Sequence, residues 1–368
     1  MSWKNDSPKF STFQDELSPP RTGRRFGSLF TVKGRRFLFF SALLLFTLFL
    51  SLWSLSLGAI NCSLGDVIKS LVFPQKDSDL AFMIWNLRLP RVTAALAVGA
   101  ILALNGAILQ NVLVNPLASS FTLGLSQGAA FGASFALIML PESNWVPLQT
   151  SLVAGCAFCG AMLTSLLVMS FTLLKGMTPQ TLILAGVAIS TLLGACTMAL
   201  QFTATESQVV STLFWTFGDL SRGAWNESLI EIVSFFLGLF VALRFGWDYD
   251  ALKWGDTQAL SLGVNTKRVR MVSFFLTALT TATATAFFGV IGFVGLIAPH
   301  MIRLIFPLTG HYFLLPTAAL FGACFLVGAD LLAQNLFYPL VIPIGIICSF
   351  AGVPMFLFLI FRQSMRYV

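Results

Sequence analysis

The chain is 368 residues long, 57% hydrophobic and 10% charged, whereas soluble domains carry about 25% charged residues. So few charges cannot coat a water-facing surface. That excludes a soluble enzyme, a secreted disulfide scaffold and a disordered chain, and leaves an all-α integral membrane protein with several spans. Of the net +7, +5 lies in residues 1–36, with eight Lys/Arg against three Asp/Glu; no basic stripe with interleaved aromatics follows, and nucleic acid is not an expected partner.

Residues 1–36 mix Pro, Ser, Gly and Arg without periodicity. They are expected to form a disordered, basic cytoplasmic tail that sets topology and meets anionic membrane lipid through its Arg pairs. A crossing helix needs about 20 apolar residues. The first run, 37–57, is too long for a signal-peptide core and has no clear cleavage site, so it reads as an uncleaved anchor. Next come 92–112, 117–138, 148–173, 181–202 and 227–245, the last with Glu231 near its start. The stretch 271–302 holds 32 uncharged residues, and Gly289, Gly292 and Gly295 divide it into 271–290 and a short 293–306. Finally, 313–334 and 344–362 complete about ten transmembrane helices in one domain, 37–362, followed by a short C-terminus, 363–368. With the N-terminus inside, and leaving out Lys4 and Lys9 far out on the tail, fifteen Lys/Arg fall on the cytoplasmic side, and five (Lys69, Lys76, Arg88, Arg91 and Arg222) on the other. Both termini are therefore expected to be cytoplasmic.

Catalytic signals are missing. There is no Gly-Lys dipeptide, hence no P-loop, and no H-E-x-x-H. The only His residues, His300 and His311, are eleven apart; a single His without partners makes a poor metal site, and His300 reads as packing or capping. Cys156-Ala-Phe-Cys159 has redox or metal spacing, but it lies mid-membrane without a second pair, and packing is the expected role. No catalytic residue, metal or cofactor is expected in this chain. Ionisable residues are also too sparse within the spans for the usual carrier driven by protons or sodium.

Four features stand out. Gly124, Gly128 and Gly132 form a G-x-x-x-G-x-x-x-G ladder on one face of the expected third span, where a neighbouring helix can approach closely; plain helix packing accounts for it. Arg88-Leu89-Pro90-Arg91 puts two cations on one face, beside a proline suited to a first helical turn, on the side where Lys/Arg is scarce. The pair either snorkels to lipid phosphate or docks an acidic partner. The longest polar cytoplasmic segment, 246–270, contains Gly255-Asp256 and Leu262-Gly263-Val264, compatible with a short helix ending at a glycine that fits a partner's groove, or with an ordinary loop. Asp330 lies 17 residues into the ninth span, roughly 25 Å along and near the outer interface. With no base in that span it does not read as a proton relay.

Together these blocks resemble the permease subunits of the iron-siderophore, haem and cobalamin ABC importer family, the FecCD/BtuC-like type II importers. The resemblance rests on Arg88-Leu89-Pro90-Arg91; Asn115-Pro116-Leu117-Ala118 followed by Leu123-Gly124-Leu125-Ser126-Gln127-Gly128-Ala129; Gly255-Asp256 through Leu262-Gly263-Val264; Gly292-Phe293-Val294-Gly295-Leu296-Ile297-Ala298-Pro299-His300; and Ala329-Asp330-Leu331-Leu332-Ala333. It covers about 60–362. It implies a ten-span homodimer with a pathway along the dimer axis. It further implies a cytoplasmic ATPase dimer that holds the ATP and magnesium and contacts 246–270. An extracytoplasmic substrate-binding protein would meet Arg88 and Arg91. Gly255, Asp256, Leu262, Gly263 and Val264 would couple to the ATPase, while Asn115, Pro116, Gly124, Gly128, Gly132, Gly292, Gly295, Pro299 and Asp330 would serve packing and the pathway.

The sequence also departs from the family pattern. Gln334 stands where many members have Arg, Val341 and Ile342 where some have Glu, and Ser119 where Asp is frequent. The expected function is a permease for a metal chelate, foremost a ferric siderophore, in the cytoplasmic membrane of a prokaryote. Cobalamin, haem or an oxyanion are the alternative cargoes. A carrier driven by an ion gradient and an integral-membrane enzyme are the rival classes.

Overall fold

The computed structural model describes residues 25–58, 62–73, 78–140 and 146–364. Most of the expected tail, 1–24, and residues 365–368 lie outside the described residues. The chain forms two units, Met1–Leu45 and Phe46–Val368. Apart from the start of the first helix, the features developed below belong to the second.

Among the described residues the structure is helical, with no strand beyond an isolated bridge between Phe337 and Leu340. In chain order the helices are α1 (Arg25–Ser56), α2 (Leu64–Val72), α3 (Asp79–Met83), α4 (Leu89–Val112), α5 (Leu125–Met139), α6 (Val146–Lys175), α7 (Pro179–Phe202) and α8 (Glu206–Thr216). They continue as α9 (Trp225–Arg244), α10 (Gly246–Leu252), α11 (Asp256–Ser261), α12 (Thr266–Phe288), α13 (Val294–Ile305), α14 (His311–Asn335) and α15 (Ile344–Ser364). Seven segments are long and apolar enough to cross a membrane: Val32–Ser56, Asp79–Val112, Gln149–Lys175, Pro179–Phe202, Trp225–Arg244, Thr266–Phe288 and His311–Asn335. Shorter apolar helices, Leu125–Met139, Val294–Ile305 and Ile344–Phe358, occupy the places of the other three expected spans. Helix α1 starts at Arg25, so residues 25–36, expected to belong to the irregular tail, are helical here.

Local chemistry sets the helix limits. Thr178 accepts a bond from the Thr181 amide at the start of α7, with Pro179 in the first turn, and Thr205 and Gln208 form a reciprocal cap on α8. Helix α12 stops at Gly289, whose φ of +74° suits glycine. The expected third span, 117–138, is helical only from Leu125. Before it the Asn115 side chain accepts from the Leu117 amide, Pro116 supplies no backbone donor, and Thr122 Oγ1 accepts from the Ser119 amide. Gly124, with φ +83°, precedes the helix rather than standing on its face.

Helix α4 is the centre of the bundle, with almost every residue from Val92 to Val112 buried. It packs against α9, α12, α13 and α14. Close approach is made possible by glycine: a Cβ at Gly99 would overlap the Gly322 carbonyl, and one at Gly106 the Gly295 carbonyl. Polar contacts supplement this packing. Asn105 donates to Thr280 and Thr281 of α12, both at 2.9 Å.

Candidate functional site

The two ends of α4 carry the chemistry. At the N-terminal end, Pro90 opens the helix just after a single π-helical turn, Ile84–Arg88. Arg88 Nη1 donates to the Leu55 carbonyl at 2.7 Å, near the end of α1. Arg91 points to α14 and forks the Asp330 carboxylate: Nη2 lies 2.9 Å from Oδ1, and Nε lies 3.1 Å from Oδ2. Gln334, one turn on, donates to Asp330 Oδ2 at 2.7 Å. Asp330 is 1% exposed and Arg91 15%. The carboxylate is thus fully used, whereas one side of the guanidinium reaches a cavity of about 140 Å³ lined by Ser54, Leu87, Arg88, Arg91, Val92 and Gln334. The structure brings together Arg91 and Asp330, which stand 239 positions apart in the sequence.

At the other end, α10 and α11 fill the segment 246–270. Gly255 precedes α11 with φ +95°, and Asp256 opens the helix. The helix closes by a Schellman arrangement: the Gly263 amide donates to the Leu260 carbonyl at 3.0 Å, and the Val264 amide to the Ala259 carbonyl at 3.0 Å. Gly263 takes φ +83°, the conformation this closure requires. Val264 is buried, while Leu260 and Leu262 are each 58% exposed, and Trp254 75%. The short helix and the turns on either side of it thus present apolar side chains outward.

Contacts on two carboxylates, Asp256 and Asp250, hold this segment. Asp256 is forked by Arg270 of α12, with Nη1–Oδ2 at 2.7 Å and Nη2–Oδ1 at 2.5 Å. Asp250 of α10 accepts from His311 Nδ1 at 2.8 Å and Lys253 Nζ at 2.9 Å, and Lys253 also donates to the Thr309 carbonyl at 2.8 Å. Burial pushes the Asp250 carboxyl up, but the bonds from His311 and Lys253, and their charges, outweigh it and hold it at about 2. Asn111 of α4 donates to the Tyr249 carbonyl at 2.9 Å, and the Tyr249 hydroxyl lies 2.7 Å from Ser273 Oγ. Sequence reasoning did not single out Arg270, Asp250 or Tyr249. Their signal was no more than polar residues beside an expected loop.

The remaining predicted positions fall between the ends. A Cβ at Gly128 would overlap Thr164 and the Gly160 carbonyl, and one at Gly132 the Cys156 carbonyl, so both glycines serve the contact of α5 with α6. Gly295 faces Leu102 of α4, with its would-be Cβ 2.7 Å from that carbonyl. Pro299 is buried inside α13. Gly292 has open space beside it and borders a largely apolar cavity of about 590 Å³, lined in part by Phe121, Phe217, Phe293, Ser349 and Phe350. Glu231 is buried in α9, and its nearest donor is Thr283 Oγ1 at 3.4 Å. Among the described residues, no group of three or more His, Cys, Asp or Glu could hold a metal ion.

Comparison with known proteins follows the same blocks. The sequence model of the FecCD transport family matches residues 43–362. A protein named as an ABC transporter permease in Methanocaldococcus jannaschii is 42% identical over 89% of this chain and 95% of its own length. The hemin transport system permease protein of Yersinia pestis is 35% identical over 87% of this chain and 94% of its own. A solved metal-chelate type ABC transporter in an inward-facing conformation superposes with a TM-score of 0.77 at 30% identity, covering 88% of this chain and 99% of that one.

Proposed function

The chain belongs to the FecCD transport family, and on that premise we propose that it is the membrane permease subunit of a binding-protein-dependent ABC importer for a metal chelate, foremost a ferric siderophore. Ten crossings, seven by the long helices and three by the shorter ones, place both termini in the cytoplasm. Segment 246–270 then follows the sixth crossing and lies on the cytoplasmic side, while Arg88 and Arg91 lie outside. The membrane is the cytoplasmic membrane of a prokaryote.

The observation that carries this reading is the construction of 246–270. Exposed Leu260 lies on α11 and exposed Trp254 and Leu262 flank it, while Arg270 forks Asp256 at the start of the helix and Val264, just beyond its end, is buried. Such a surface fits a groove in another protein, and its anchors let force pass through it. This chain has no phosphate-binding loop of its own. ATP and magnesium therefore belong to a separate ATPase dimer seated on two copies of this chain. Arg88 and Arg91 receive acidic residues of the binding protein, and the chelate passes between the copies. Coupling works because both partners bias the same two-state packing of helices.

Affinity purification from the native membrane tests the assignment. A cytoplasmic ATPase should accompany the chain; its consistent absence refutes the importer reading. Reversing both cations, R88E with R91E, should abolish capture of the binding protein, and unchanged capture would sink the docking role. The cargo is read from the ligand that the captured binding protein holds. Haem or cobalamin there would replace the siderophore, as the name of the Yersinia relative already suggests for haem.

A further inference from the structure

One side chain joins the coupling segment to the cytoplasmic end of α4. Arg270 lies in the second turn of α12 and is only 2% exposed. Besides its fork on Asp256, its Nε donates to the carbonyl of Val112, the last residue of α4, at 3.2 Å. Its Nη1 also donates to the carbonyl of Met177, between α6 and α7, at 3.3 Å. A guanidinium is planar and its donors have fixed directions, so these three acceptors are held in one rigid arrangement. The Val112 carbonyl is one of the unpaired groups at a helix C-terminus and carries partial negative charge, which a buried cation satisfies.

Asp256 is 43% exposed, so this pair marks the place where a partner-facing helix meets the buried bundle. Moving α11 away from α4 would strand a carboxylate, a helix-end carbonyl and a buried guanidinium together. Charge-assisted bonds of this kind resist separation more than sliding apolar contacts do. The 24 residues of α4 span about 36 Å. At Gly99 and Gly106 the backbone of α4 lies directly against the backbones of α14 and α13. The far end of α4 begins at the Arg91–Asp330 fork.

We propose that Arg270 is a positioning residue that carries displacement of α11 into α4, and so links the ATPase contact to the outer docking end. The inference rests on reading 246–270 as the ATPase contact. In the full complex, reconstituted with its ATPase, affinity for the binding protein is measured without nucleotide and with a non-hydrolysable ATP analogue, and the ratio is taken per assembled complex. Wild type should give a ratio of at least about fivefold. In R270Q and in D256N it should fall to within about twofold of one, with R270K between, because an ammonium keeps the charge but not the fork. A purely structural role predicts fewer assembled complexes with an unchanged ratio in each, and that result overturns the proposal. D256N alters a partly exposed carboxylate, so it decides the matter if R270Q does not assemble. A wild type that brings down no ATPase refutes the importer reading and takes this inference with it. A normal wild-type ratio with unaffected variants refutes the link alone.

Discussion

Replacing Asp330 by Asn separates two properties that the N-terminal end of α4 combines. The substitution keeps shape but removes the charge that Arg91 forks and to which Gln334 donates. A hydrogen bond to a charged group contributes about 1.5–3 kcal/mol. Breaking a fully buried pair costs about 3–5 kcal/mol. Arg91 is 15% exposed, and the amide oxygen can still accept one of its bonds, so the net loss is about 2 kcal/mol of stability. On the docking assignment the released guanidinium no longer shares its donors with Asp330. If about 1.4 kcal/mol of that competition is relieved, affinity for an acidic binding-protein surface rises about tenfold. The thermal midpoint in detergent and a titration with binding protein give the two readouts, expected to move in opposite directions. If both fall together, Arg91 docks while still clasped to Asp330, and the competition argument is wrong.

Four further substitutions test the packing, the α11 segment and its electrostatics. Gly106→Ala drives a methyl into the Gly295 backbone and should cost about 1–3 kcal/mol, whereas Gly194→Ala in α7, with open space around it, should be neutral or stabilising by thermal midpoint. Gly263 also has room for a side chain, but its φ of +83° disfavours one; Gly263→Val should cost about 1–2 kcal/mol locally and uncouple partner ATP hydrolysis from the binding protein without lowering the global midpoint. Asp250 is held at about 2, below its ordinary value, so its contribution to stability is present above about pH 4 and is lost as pH falls toward 2. Asp250 is 30% exposed, and after discounting for solvent the contribution is about 1–2 kcal/mol. The stability gap between wild type and Asp250→Asn should therefore be widest near neutral pH and narrow at pH 3.

Apolar runs made the spanning helices legible, because crossing hydrocarbon demands length and hydrophobicity that few other structures need. Residues 117–124 misled because they are uncharged and run straight into the apolar helix. Asn115, Pro116, the Ser119–Thr122 turn and Gly124 delay the helix, and a hydropathy window does not weigh turn chemistry. The Arg pair and Asp330 were each placed at the outer side by counting residues. The contact of Arg91 with Asp330 was not readable, since the two stand 239 positions apart and a depth argument does not say which helices are neighbours. Arg270 was invisible for a different reason. Lys267, Arg268 and Arg270 look alike as cytoplasmic charges that set topology. Only burial distinguishes the one that turns inward from those that face water.

The placement of these buried charges bears on how the molecule can switch. A cation withdrawn from water within a membrane protein is costly unless fully paired, and α4 could have been held by its glycine contacts alone. Apolar surfaces and glycine grooves let helices shift by small increments, because the free energy changes little as one methyl replaces another. A forked Arg–carboxylate pair is different: its bonds are directional and are either made or lost. Among the described residues, Arg91–Asp330 and Arg270–Asp256 are the two Arg–carboxylate forks, and they stand at opposite ends of the same buried helix. Incremental sliding in the middle with all-or-none contacts at both ends is the arrangement that lets a displacement at one end be felt at the other as a discrete change.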